Sequence, residues 1–247
     1  MKKSEQLFDL TGRRVLLVGA SGGIGACFLA FLAASGARVF AADRAPLSSQ
    51  FSGYDVPFLE VDITDEASVL SLRDAVRDWG QGLDALVNAA GVLPIAPAED
   101  LGLAQFRSSL DINLSGAFLV SVKMRQLLGQ GGRMVHLSSV SSMVANPEYA
   151  AYASAKAGLS QLVRVLAREW APDRVTVNAL APAMMETDLT RHYLGSSGFR
   201  DQALGQIPMG RFVTGDDLTG PLAMLLSEAG RFITGQTLMI DGGRTLI

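Results

Sequence analysis

Tyr152 and Lys156 stand four residues apart in "YASAK". That spacing puts both side chains on one face of a helix. An ammonium beside a phenol favours the phenolate and lowers its pKa from about 10. A tyrosine tuned in this way serves as an acid or base near neutral pH. Alone, the pair also fits a solvated helix face, since Tyr-x-x-x-Lys is common by chance. It gains weight from Ser139, which ends an apolar run beside Ser138. At the carboxyl edge of a sheet, that hydroxyl reaches the same crevice.

A second group of residues suits a phosphate-bearing ligand. "VGASGGIG" sets Gly19, Gly23 and Gly25 after an apolar run and before a helix-like stretch. Glycine permits the tight turn, and bare backbone lets a pyrophosphate come close to the helix N-terminus. Glycine spacing alone is a weak signal, and the strand–loop–helix context strengthens it. Asp43 ends the next apolar run about 20 residues on, where a carboxylate accepts hydrogen bonds from ribose hydroxyls and repels a 2′-phosphate. This favours NAD over NADP. Arg44 beside it pulls the other way, because a guanidinium pairs with phosphate. Asp62 ends the third run and suits either an adenine edge or the cap of the following helix. "NAAGVLPIAPAED" (88–100) stops the apolar run "LDALV" at small residues, as if something must approach the backbone there.

Short apolar runs alternate with longer amphipathic ones along the chain. Strands are expected at 14–18, 37–43, 56–62, 83–88, 132–139, 174–182 and 235–243. Helices are expected at 26–36, 64–80, about 103–128, 152–170 and 216–230, with Thr64 and Asp65 as cap candidates. Gly220-Pro221 suits the first turn of the last helix better than its middle. Residues 183–210 hold few periodic apolar positions and read as a loop with short helical pieces. Continuous apolar strands alternating with helices define an α/β protein with a parallel sheet covered on both faces. Right-handed crossovers make it a doubly wound, Rossmann-type sheet of about seven strands, with its ligand site at the strands' carboxyl ends. One domain, 1–247, is the simplest division.

The 247 residues are 49% hydrophobic and 18% charged, enough to bury a large core. The net charge of −3 and the lack of a long basic run argue against a nucleic-acid partner. A small-molecule ligand fits better. No run of 18 or more uninterrupted apolar residues suggests a membrane span, and the N-terminus lacks a secretory apolar region. The single cysteine, Cys27, excludes an intrachain disulfide and suits a reducing cytoplasm; it reads as a small core residue. His136 lies inside a strand and reads as a core histidine. Two histidines without carboxylates at ligand spacing make no metal site.

With "VGASGGIG", "NAAG", "LDINLSGAF", "HLSSVSS", "YASAK" and "NALAPAMMET", the chain resembles the short-chain dehydrogenase/reductase family over nearly its whole length. The resemblance implies hydride transfer between NAD(P) and a carbonyl or alcohol. It implies Tyr152 as general acid/base and Lys156 as the group that tunes it and binds the nicotinamide ribose. Ser139 would hold the substrate oxygen, and Asn113 would anchor a water in a proton relay. Cofactor contacts would come from Gly19, Ser21, Gly22, Gly23, Ile24, Gly25, Asp43, Arg44, Asp62, Ile63, Asn88, Ala89, Ala90, Gly91, Pro182 and Thr187. Three positions depart from the family pattern: Val18 replaces a threonine, Ala89 an asparagine and Ala183 a glycine. Assembly as a homotetramer or homodimer, through the two long helices and the C-terminal segment, is also implied.

The substrate is less legible. Leu93, Ser141, Tyr149, Met184, Met185 and His192 are the candidate pocket residues, and His192 suits an acidic substrate group. The mix favours a small or medium, largely uncharged secondary alcohol or ketone. A cyclic dihydrodiol or a hydroxy acid falls within that range. "LDALVNAAGVL" is similar to dehydrogenases of cyclic dihydrodiols, and "ITGQTLMIDGG" is shared with 3-oxoacyl-carrier-protein reductases; neither selects a substrate. An NADPH-dependent reductase of that second kind is the alternative, against which Asp43 argues. A nucleotide-binding scaffold without catalysis is a third reading, disfavoured because Ser139, Tyr152 and Lys156 are all present.

Overall fold

The computed structural model describes residues 4–246. Seven parallel strands form one sheet: β1 (Arg14–Val18), β2 (Arg38–Asp43), β3 (Phe58–Glu60), β4 (Leu83–Asn88), β5 (Leu128–Leu137), β6 (Thr176–Pro182) and β7 (Thr237–Ile240). Their order across the sheet is β3-β2-β1-β4-β5-β6-β7. The direction of winding reverses between β1 and β4, so a crevice opens at the carboxyl ends of those two strands.

Side-chain alternation along the central strands explains the two-sided burial. Val15 and Leu17 of β1 face one core with Val87 and Leu180. Leu16 and Val18 face the other with Leu86 and Val177. A short α1 (Ser4–Leu7) precedes the sheet. The first core is closed by α2 (Gly23–Ala34) and α9 (Gly215–Leu226). The second is closed by α3 (Glu66–Gly80), α5 (Gly116–Arg125) and α6 (Ala150–Trp170), with α4 (Leu103–Leu110) packed against α6. Burying both faces is why these strands carry apolar residues at consecutive positions instead of every other one. Asp65 caps α3 by accepting the Ala67 N–H at 3.1 Å.

The stretch expected as one helix over 103–128 is interrupted. Between α4 and α5 the chain widens into a π-helical turn, Asp111–Ser115, and after Arg125 it turns into β5, four residues earlier than expected at that strand's start. Residues 183–210 carry two helices, α7 (Asp188–Leu194) and α8 (Ser197–Gly205). Pro221 lies inside α9, not in its first turn. Its missing N–H removes one intrahelical bond. The N-terminus of α9 is held by a capping box between Thr214 and Asp217, with Arg211 paired to Asp217 at 2.6 Å.

Candidate active site at the switch point

The glycine loop joins β1 to α2, and its glycines serve different ends. Gly19 has φ +82°, and a Cβ there would sit 2.4 Å from the Ala90 nitrogen. A Cβ on Gly25 would lie 1.8 Å from the Gly19 carbonyl oxygen. The small residues Ala89 and Ala90 are thus matched to the backbone of Gly19, which is what comes close to the end of β4. Gly23 packs on Thr187, leaving 2.7 Å for a Cβ, whereas Gly22 is open on its outer side.

A cleft of about 260 Å³ beside this loop is lined by Gly19, Ser21, Gly22, Asp43, Arg44 and Asp62, with Ile63, Ala89, Ala90 and Gly91. Asp43 receives the Ser21 N–H at 2.9 Å and the Ala45 N–H at 3.1 Å, so its carboxylate fixes the loop as well as facing the cleft. Asp62 accepts the Thr64 N–H and hydroxyl at 2.9 and 2.7 Å, and these bonds hold its carboxyl below the usual range. These residues fit a dinucleotide: bare backbone at a helix N-terminus for pyrophosphate, a carboxylate for ribose, and apolar Ile63 beside them. Asn88 is 3% exposed and its Oδ1 accepts the Ala90 N–H at 3.2 Å, so its side chain shapes the strand end. Gly23 and Gly25 pack tightly on Thr187 and on the Gly19 carbonyl.

A second cleft, of about 290 Å³, continues past Gly91. Ser139, Tyr152, Lys156 and Asn113 all line it, as do Ile24, Pro182 and Thr187. Helix α6 brings Tyr152 and Lys156 to the cleft on one face. Ser139 follows β5 directly, and its hydroxyl accepts the Ser141 N–H at 3.1 Å and hydrogen-bonds with Tyr152. The Lys156 ammonium lies 5.6 Å from the centre of the Tyr152 ring and donates to the Leu137 carbonyl at 2.7 Å. Burial lowers its pKa to about 7. The phenol of Tyr152 is shifted upward by burial, against the pull of the Ser139 hydrogen bond. This differs from the lowering expected from the Tyr-x-x-x-Lys spacing. Loss of water around the buried phenol outweighs the hydrogen bond from Ser139.

The π-helical turn accounts for Asn113. An extra residue in the turn rotates side chains out of α-helical register. Asn113, 1% exposed, donates from Nδ2 to the Val92 carbonyl at 3.0 Å and accepts the Val92 N–H at Oδ1 at 3.3 Å. It thereby clamps the chain just after Gly91, where a Cβ would stand 2.8 Å from the same Oδ1.

Of the expected pocket residues, Leu93, Ser141, Tyr149, Met184 and Met185 line this cleft. Tyr149 packs edge-on against Tyr152 at 6.2 Å, and burial pushes its phenol up to about 12. His192 stands apart from them: it is exposed and its ring meets that of Tyr193 edge-on at 5.5 Å, outside the lining of this cleft. Its place on α7 turns it outward while Thr190 and Leu194 turn in. The sequence reading missed Asn146, Glu148, Gln202, Gln206 and Arg244, which also line the cleft. A signal for Arg244 was present. It follows β7 by four residues, and β7 ends at the same sheet edge as every other strand.

His136 is fully buried, with Nε2 3.1 Å from the Ser121 hydroxyl, and desolvation drops its pKa to about 4. It is a core histidine. Among the described residues no cluster of metal-ligating side chains occurs, and no helix is long and apolar enough to cross a membrane.

Comparison with known proteins agrees with this geometry. A family model described as enoyl-(acyl carrier protein) reductase matches residues 19–245. The chain is 38% identical over 249 residues to D-threitol dehydrogenase of Mycolicibacterium smegmatis, covering 97% of this chain and 95% of that one. It is 34% identical over 245 residues to the 3-oxoacyl-[acyl-carrier-protein] reductase of Escherichia coli, covering 97% and 100%. The crystal structure of a gluconate 5-dehydrogenase from Burkholderia cenocepacia, in complex with NADP and tartrate, superposes with a TM-score of 0.93 at 31% identity, covering 99% of this chain and all of that one. The chain belongs to the short-chain dehydrogenase/reductase family. It is an NAD(P)-dependent oxidoreductase acting on CH–OH groups.

Proposed function

We propose that this enzyme is an NAD-dependent dehydrogenase of small polyhydroxylated secondary alcohols, with Tyr152 as its acid/base group. The observation that carries the reading is the meeting of Ser139, Tyr152, Lys156 and Asn113 in one cleft, continuous through Gly91 with the cleft at the glycine loop. When bound, the nicotinamide supplies the two-electron hydride acceptor. The chain's own part is the proton. Ser139 holds the substrate oxygen beside the Tyr152 phenol, and in the oxidative direction the phenolate takes the hydroxyl proton. Lys156 favours that phenolate when it is charged and binds the nicotinamide ribose. Asn113 fixes Val92 and anchors the water through which the proton leaves. The family reading supports these last two roles.

Asp43 supports NAD as the preferred cofactor, since its carboxylate lines the ribose end of the first cleft and disfavours a 2′-phosphate. The NADP-bound relative keeps NADP as the alternative, with Arg44 as its partner. The threitol and gluconate relatives support a polyol or sugar-acid substrate. An NADPH-dependent 3-oxoacyl-carrier-protein reductase is the second reading, favoured by the Escherichia coli relative. Residues 183–210, with α7 and α8, act as the substrate-covering segment of a single domain spanning 1–247. Copies of the chain assemble as a dimer or tetramer through the outer faces of α5 and α6, where Phe118 is 49% and Val165 43% exposed. The setting proposed is cytoplasmic.

The test is to follow reduced-nicotinamide absorbance with NAD and NADP against panels of alditols, aldonates, cyclic diols and simple secondary alcohols. Turnover with NAD and a polyhydroxylated substrate is expected. Turnover confined to NADPH and 3-oxoacyl thioesters would establish the second reading instead.

A further inference from the structure

The catalytic cleft carries a cationic group that has no part in the proton chemistry. After β7 the chain makes a tight turn. Asp241 accepts the Gly243 N–H at 3.0 Å, the Thr245 N–H at 2.8 Å and the Thr245 hydroxyl at 2.7 Å. Gly242 and Gly243 have φ of +57° and +91°, a conformation open to glycine. They pack on Ile207 and Pro208 so closely that a Cβ on either would stand 2.8 or 3.1 Å from its neighbour. This fixed turn delivers Arg244 to the cleft lining.

There the guanidinium donates to the Asn146 Oδ1 at 2.9 Å. Asn146 in turn donates to the Ser141 hydroxyl at 3.3 Å, and the Ser141 N–H reaches Ser139. A chain of hydrogen bonds thus runs from Arg244 to the serine beside Tyr152. A guanidinium has five N–H donors, and this one makes no ion pair with any described carboxylate. Glu148, the carboxylate on the same lining, is exposed at the rim and does not pair with it. Gln202 and Gln206 of the covering segment add amide groups to the cleft.

We propose that Arg244 is the anion anchor of the substrate site, and that the substrate is a small polyhydroxylated carboxylic acid, not a neutral polyol. The inference rests on the dehydrogenase reading above. A planar carboxylate meets the free edge of the guanidinium in two parallel hydrogen bonds. The remaining hydroxyls of the acid bond to Asn146 and the glutamines, and the reacting hydroxyl lies at Ser139 and Tyr152. A cleft of about 290 Å³ suits a small molecule better than a long acyl chain.

The test compares C4–C6 aldonates with the alditols of equal chain length, in the wild type and in Arg244→Ala and Arg244→Lys. The wild type is expected to have the higher kcat/KM for an aldonate. Arg244→Ala should lower the aldonate-to-alditol ratio roughly 10- to 100-fold, mostly through KM, the size of a lost charge-assisted hydrogen bond. Arg244→Lys should recover part of it. Calorimetric titration of the same acids and alditols onto the NAD-saturated protein reads the preference without turnover. An alditol preference in the wild type, or a ratio unmoved in Arg244→Ala, would overturn the assignment while the dehydrogenase reading stands. If neither set is turned over, the proposed reaction fails, and the titration alone decides on Arg244.

Discussion

At the scale of single residues, the buried groups of the cleft set both pH dependence and stability. The upward shift of Tyr152 keeps its phenol protonated near neutrality. Reduction, which needs a proton donor, is therefore expected to run best near neutral pH. Oxidation, which needs the phenolate, should rise as the pH is raised above 8, and kcat/KM profiles in both directions check this. An oxidation rate that falls between pH 7 and 9 would be inconsistent with it. Lys156 has a folded pKa of about 7, below its unfolded value of about 10.4. Its burial therefore opposes folding most below pH 7, and the cost disappears as the pH rises to the unfolded pKa. Lys156→Met should melt several degrees higher than the wild type at pH 7, lose that advantage toward pH 10.5, and be inactive. Thermal melts across this range measure it. Asp43→Ala should narrow the preference for NAD over NADP at least 10-fold in kcat/KM. A wild type that already prefers NADP would refute the role given to Asp43.

At the scale of elements, the glycine loop and the end of β4 form one joint. With 1.8 Å between a Cβ on Gly25 and the Gly19 carbonyl, Gly25→Ala must displace α2 or the loop. An overpacking penalty of about 3 kcal/mol is expected, read by denaturant unfolding, together with loss of NAD binding. Strand β5 carries the neutral, buried His136. Its folded pKa of about 4 lies below the unfolded 6.5, so stability is full above pH 6.5 and falls as the pH drops toward 4, by about 3 kcal/mol. His136→Leu should flatten that part of the profile.

Strand and helix alternation was legible because a two-sided core demands continuous apolar strands, and β1 and β4 fall where the runs do. The π-helical turn at 111–115 was not legible, because a widened turn leaves the apolar spacing of a helix almost unchanged. Ser139, Tyr152, Lys156 and Asn113, which meet in one cleft, could be found by residue type and chain position. Arg244 could be placed at the sheet edge by its distance from β7, but its pairing with Asn146 could not, since their meeting across 98 residues depends on the turn after β7. The outward turn of His192 was not legible, because spacing alone does not give the rotation of a short helix.

For the whole molecule, one sheet edge brings seven strand ends to a common crevice, and the covering segment and C-terminal turn complete it. The outer faces of α5 and α6 leave Phe118 and Val165 exposed on the side away from the sheet. A double substitution, Phe118→Asp with Val165→Asp, should shift the protein to a smaller species in sedimentation velocity without unfolding it. A wild type that sediments as a monomer would remove the proposed interface. The central claim is that Tyr152 moves the proton of an alcohol oxidised at this crevice. It is tested most directly by Tyr152→Phe, which deletes one hydroxyl and leaves the ring in place. The account expects turnover to fall at least 1,000-fold, the scale of a lost acid/base group, with NAD affinity retained in a calorimetric titration. Turnover within a few-fold of the wild type would contradict it.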